Sequence, residues 1–232
     1  MSALAAAGWG ALGAVSLLVG AWLALTLRLP SRIVGAVMGF GAGALIAAVA
    51  YELVPANPSS SPRFVVLGAG AVVFFILDRL VTRHDNGSRF SGRSIVLGAL
   101  LDGVPESTVL GMGLAAGGSV SLAFLVAVFV SNLPEALGAT ADLRASGQRA
   151  PAIYRLWTEI VVISAVFSAF GYWLVRVIPQ SDGRAVQAFA AGAVLTMLAN
   201  SMIPEAFEEG GKVTGLLTVL GFTLAGGLSA IE

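Results

Sequence analysis

Two short stretches carry residues that could do chemistry: Leu101-Asp102-Gly103-Val104-Pro105-Glu106 and Val130-Ser131-Asn132-Leu133-Pro134-Glu135. Each sets a proline and a carboxylate in the middle of a long apolar run. Proline has no N–H, so Pro105 and Pro134 leave the carbonyls of Leu101 and Val130 without helical partners and are expected to bend or break their helices. A charged side chain at membrane depth costs about 2.5–3.5 kcal/mol on insertion scales, which makes it a functional-site candidate by default. Asp102 and Glu106 are four apart and share a helical face, as do Ser131 and Glu135, while Asn132 lies three before Glu135. The candidate shell is Asp102, Glu106, Asn132, Glu135 and Ser131, all oxygen donors, and such a shell suits a divalent cation. Carboxylates this close exchange a proton for a cation, so protons are expected to compete with the metal.

The elements that position these residues follow from composition. The chain has 232 residues, 57% hydrophobic and 11% charged, with a mean hydropathy of +0.89. A soluble domain carries roughly 25% charged residues, so the sequence reads as an all-α polytopic membrane protein, one transmembrane domain over 1–232. Its zero net charge speaks against a nucleic-acid partner or a polybasic membrane anchor. The absence of cysteine removes disulfides and thiolate ligands. The first apolar run lacks a basic leader and is too long for a signal peptide, so it is expected to stay as a membrane helix.

A span needs about 20 mostly apolar residues. Eight runs qualify, near 4–27, 33–54, 64–81, 95–115, 120–143, 156–178, 185–203 and 213–231. Pro30, the serine- and proline-rich 55–62 and the glycines at 117–118 separate them. Trp9, Trp22, Trp157 and Trp173 fall near expected helix ends, where an aromatic belt would sit. Ten basic residues fall on the odd-numbered loops and flanks and three on the even-numbered ones. With eight helices, this places both termini outside and the 82–92 loop in the cytoplasm. Phe40, Gly43, Ala44 and Pro55 recur as Phe189, Gly192, Ala193 and Pro204, each 149 positions on. A repeat at even and odd helix positions is inverted across the membrane, as in many transporters, and puts helices four and five at the repeat interface.

At these residues the chain resembles the ZIP family of divalent metal transporters. Asp102-Gly103-Val104-Pro105-Glu106-Ser107 is similar to the family's His-Asn-x-Pro-Glu-Gly motif on the fourth helix. Ser131-Asn132-Leu133-Pro134-Glu135-Ala136 is similar to its His- or Gln-x-x-Pro-Glu motif on the fifth. Gly43-Ala44-Leu45 through Pro55-Ala56, and Gly192-Ala193-Val194 through Pro204-Glu205-Ala206, resemble its second and seventh helices. The resemblance covers all eight helices and implies a 3+2+3 arrangement with inverted outer repeats, outside termini, a homodimer and a plasma-membrane location. It implies transport of zinc, iron or manganese toward the cytoplasm, with the metal as substrate and no prosthetic group. The departures are specific. Asp102 stands where the family usually has histidine, Gly103 where it often has asparagine, and Ser131 where histidine or glutamine is common. Ser164 falls where binuclear members carry a bridging carboxylate, with Glu159 about a turn and a half away, and Asn200-Ser201 replaces a polar or acidic pair. One metal site is expected, and ligation by oxygen alone shifts preference toward manganese or magnesium.

Other residues have weaker readings. His84, the sole histidine, lies beside Asp85 and reads as a solvated loop residue, since metal capture needs several ligands. Glu52, Glu205, Glu208 and Glu209 stand near helix ends, either as acids on a cation path or as ordinary interfacial charges. Two rival functions remain open. Glu205 and Glu209 have Glu-x-x-x-Glu spacing and Ser91-Gly92-Arg93-Ser94 could hold phosphate, as in an intramembrane lipid-pyrophosphate phosphatase. The missing histidines instead suit a degenerate relative that senses a cation or scaffolds a partner without transporting.

Overall fold

The computed structural model describes residues 2–27, 29–54, 61–84, 92–117, 121–178 and 180–231. Among them there is no strand, and the chain forms eight helical rods. These are α1 (Ala3–Thr26), α2 (Ser31–Leu53), α3 (Ser61–His84), α4 (Gly92–Gly117), α5 (Leu122–Ala145) and α6 (Ala150–Val177). α7 is built from Gln180–Met197, Leu198–Met202 and Ile203–Gly210 without a break, and α8 is Val213–Ser229. Six rods are long and apolar enough to cross a membrane: α1, α2, α3, α5, α6 and α7. α8 is apolar with 17 residues, and α4, with Asp102 and Glu106 in its middle, packs mainly on α6 and also on α1 and α7. The protein is a polytopic helical membrane protein.

Local chemistry sets several ends. Ser2 and Ser121 cap α1 and α5, their hydroxyls accepting from the N–H groups of Ala5 (3.3 Å) and Phe124 (3.0 Å). Gly211, at φ +67°, turns the chain from α7 into α8, a conformation only glycine adopts freely. The separators at 55–60 and 118–120, Arg28, and the 85–91 loop with Asp85 and Ser91 lie outside the described residues, as does the side chain of His84.

Neither internal proline interrupts its helix. α4 and α5 run unbroken through Pro105 and Pro134. One missing hydrogen bond is tolerated in a membrane helix whose neighbours hold it in place. The irregularities sit elsewhere, in two π segments, Val49–Leu53 in α2 and Leu198–Met202 in α7. They are 149 positions apart, the offset of the sequence repeat. In each, the closing bond spans five residues, Val54 N–H to Val49 O and Ile203 N–H to Leu198 O. Each precedes a proline, Pro55 or Pro204. A proline ring crowds the carbonyl four residues back, and in α7 the widened turn ahead of Pro204 relieves that crowding.

The repeat also shows in the packing. Gly43 of α2 lies against the Thr218 carbonyl of α8, and Gly221 of α8 against the Phe40 carbonyl of α2. Gly192 of α7 lies against the Leu67 carbonyl of α3, and Gly70 of α3 against the Phe189 carbonyl of α7. The α2–α8 and α3–α7 contacts are thus one contact made twice, close enough that a Cβ on any of these glycines would strike backbone. α1 on α5 and α4 on α6 form a second such couple. Gly20 of α1 abuts Leu133 and Ala136 of α5, and Gly171 of α6 abuts Thr108 of α4.

One expected belt residue is core instead. Trp157 is fully buried, with its indole N–H donating to Thr140 Oγ1 at 2.8 Å. That hydroxyl supplies the partner a buried indole needs, so the ring packs inside the bundle. Trp22 and Trp173 are exposed, 53% and 52%, as belt residues would be.

Candidate functional site

Four helices meet around a small cavity of about 30 Å³. α4 contributes Asp102 and Glu106, and α5 contributes Ser131 and Glu135. These residues belong to the paired motifs, and the i, i+4 spacing that puts each pair on one helical face brings both pairs to this cavity. Asn132 is buried but lies outside the lining, one residue round the helix from Ser131. α2 and α7 add three methionines with no place in the oxygen-donor reading, Met38, Met197 and Met202, and two further oxygen donors, Ser201 and Glu205 of α7. The volume suffices for a water or a bare cation.

The electrostatics centre on Glu106. It is 1% exposed, and its Oε2 has no hydrogen-bond partner among the described residues. Leaving a buried acceptor unmade costs about 1–3 kcal/mol, more when it is charged, so this oxygen is prepared for a partner that a cation or proton would supply. Ser131 is 3% exposed and its hydroxyl donates to Val128 O at 2.9 Å. Its donor is therefore spent on backbone, and lone pairs are what it can offer the cavity. Backbones come close here: a Cβ on Gly41 of α2 would lie 2.8 Å from Ser131 Cα and 3.2 Å from Met202 Cε.

Among the described residues, no three His, Cys, Asp or Glu side chains converge closely enough to hold one metal ion. The carboxylates surround the cavity without closing on a common point. A cation there would complete its shell from hydroxyls, thioethers and water as well as carboxylate oxygens.

Glu205 lines the small cavity and also a polar cavity of about 540 Å³ that holds Asp142, Arg144 and Glu209. That larger space lies among the C-terminal ends of α1 and α5 and the first turn of α2, and Arg144 donates to Leu25 O at 2.8 Å beside it. Glu208 lines neither cavity. At the C-terminal end of α2, Glu52 accepts from the hydroxyl of Ser121, the cap of α5, and from Ser229 of α8 at 3.3 Å. Of the acids near helix ends, Glu205 and Glu209 face the larger cavity, while Glu52 joins three helices.

The expected place of a second metal carries none of the needed chemistry. Ser164 is buried away from the cavity, and Glu159 is exposed in an ion pair with Arg155 at 2.9 Å. Sequence reasoning missed Met38, Met197 and Met202, since methionine in an apolar run looks like any core residue. The signal that could have found Met202 is its position two residues ahead of Pro204. The sequence matches no protein-family model and no curated protein.

Proposed function

We propose that the protein carries a divalent metal cation across the plasma membrane through the cavity between α4 and α5, as a histidine-poor relative of the ZIP transporters. The observation that carries this reading is the buried Oε2 of Glu106, without a partner among the described residues, in a cation-sized cavity shared with Asp102, Ser131 and Glu135. The 3+2+3 arrangement with inverted outer repeats is supported by the duplicated glycine contacts and by the two π segments at one offset. In that arrangement both termini lie outside, two copies form a homodimer, and the Glu205 cavity opens to the cytoplasm. An ion held by Glu106 and Glu135 would pass to Glu205 and on to Asp142 and Glu209. The Glu52 bridge to Ser121 and Ser229 holds the opposite end shut.

The test is uptake of zinc, iron, manganese and cadmium into proteoliposomes, with Glu106→Gln and Glu135→Gln alongside. Uptake that both variants lose supports the reading; uptake that survives both contradicts it. A second reading, a cation sensor or scaffold, is favoured by the failure of three carboxylates to converge. Cation binding without any flux would select it.

A further inference from the structure

α7 brings two methionines to the lining of the cavity through a widened turn whose counterpart in α2 carries no methionine. Met197 and Met202 are five positions apart. On a regular α-helix five positions end about 140° round from the start, so the two side chains would leave on different faces. The bond from Ile203 N–H to Leu198 O widens this turn to a π segment, and residues five apart return to nearly the same face. Both methionines consequently line the cavity with Asp102, Glu106 and Glu135. The S-methyl of Met202 reaches across to Gly41 of α2, beside Ser131. α2 has its own π segment, but Ala48 and Leu53 occupy the equivalent positions and pack in the apolar core. Met197 and Met202 belong to the same core and in addition line the cavity, which Ala48 and Leu53 do not.

Resting on the cation-site reading above, we propose that Met197 and Met202 are specificity-determining ligands that turn this site toward soft divalent ions such as cadmium and zinc, and away from manganese and magnesium. Thioether sulfur favours soft ions, whereas a carboxylate and water shell favours hard ones. Among the described residues no three acids converge on one point, so coordination positions are left for sulfur to fill. Glu106 Oε2, buried and without a partner among the described residues, marks where the charge of the ion would sit.

Leucine matches methionine in volume, so Met→Leu removes the sulfur and keeps the packing. The experiment measures equilibrium binding of cadmium and manganese to the purified full chain and to Met197→Leu, Met202→Leu and the double variant. Cadmium absorption spectroscopy on the unmutated protein looks for a sulfur neighbour of the bound ion and needs no variant to fold. Expected are a sulfur shell that the double variant loses, although Met38 still lines the cavity, and a preference for cadmium over manganese that drops about tenfold in that variant, with manganese binding little changed. An all-oxygen cadmium shell, or a cadmium-to-manganese ratio unchanged in the double variant, overturns the proposal while leaving the cation site standing. Binding of neither ion to the unmutated protein removes the cation site and this proposal together.

Discussion

Replacing Glu106 with glutamine should make the metal-free protein more stable and the cation-loaded protein no more stable still. Glu106 is 1% exposed, and its Oε2 lacks a hydrogen-bond partner among the described residues. An unmet buried acceptor costs about 1–3 kcal/mol. Glutamine keeps the volume, removes the charge and brings an NH₂ that can donate to Asp102 or Glu135 across the same cavity. The variant should therefore gain about 1–3 kcal/mol in chelator. The unmutated protein should recover that difference when a divalent ion is added, since a ligand at 100 times its Kd stabilises by about 2.7 kcal/mol. Thermal melting in detergent, with chelator and then with zinc or cadmium, reads both effects. A Glu106→Gln protein that melts below the unmutated one in chelator would refute the reasoning, because the carboxylate would then be compensated where it sits.

Three further predictions concern packing and protons. Gly43→Ala and Gly192→Ala should each destabilise by about 1–3 kcal/mol, because the added methyl meets a backbone carbonyl that cannot yield without parting the helices. Gly8→Ala, with nothing within 4 Å, should be neutral in the same melting assay. Unequal costs at Gly43 and Gly192 would mean that the two contacts are not equivalent. Thr140→Val should cost about 1–3 kcal/mol by orphaning the Trp157 indole N–H, and Thr140→Ser should restore most of it. Cation uptake should fall as the pH is lowered from neutral to mildly acid, because carboxylate ligands must shed protons to bind a metal; uptake insensitive to pH over that range would exclude competition at this site.

What could be read from the sequence was the set of features that cost something in an apolar setting. Asp102, Glu106 and Glu135 stood out because charge at membrane depth needs a reason, and they share one cavity with Ser131. The 149-residue repeat was visible through Phe40, Gly43 and their echoes, and its glycines mark close helix contacts. A break at Pro105 and Pro134 is absent. Pro105 and Pro134 leave their helices unbroken, while Pro55 and Pro204 follow widened turns. Apolar periodicity cannot distinguish an i→i+4 from an i→i+5 turn when nearly every side chain is apolar. For the same reason Met197 and Met202 passed as core. Asn132, three before Glu135, had spacing as good as that of Ser131, and only the packed helices show which of the two lines the cavity. Trp157 lay near an expected helix end, but that reading could not foresee Thr140 waiting as its partner.

The most direct measurement is the position of a bound cadmium ion, located by anomalous scattering from crystals of the protein grown with the metal. The account predicts one ion between α4 and α5, coordinated by Glu106 and at least one of Asp102 and Glu135, with sulfur from α7 in its shell. An ion found only among Asp142, Glu205 and Glu209, with the Glu106 cavity left untouched, would contradict it.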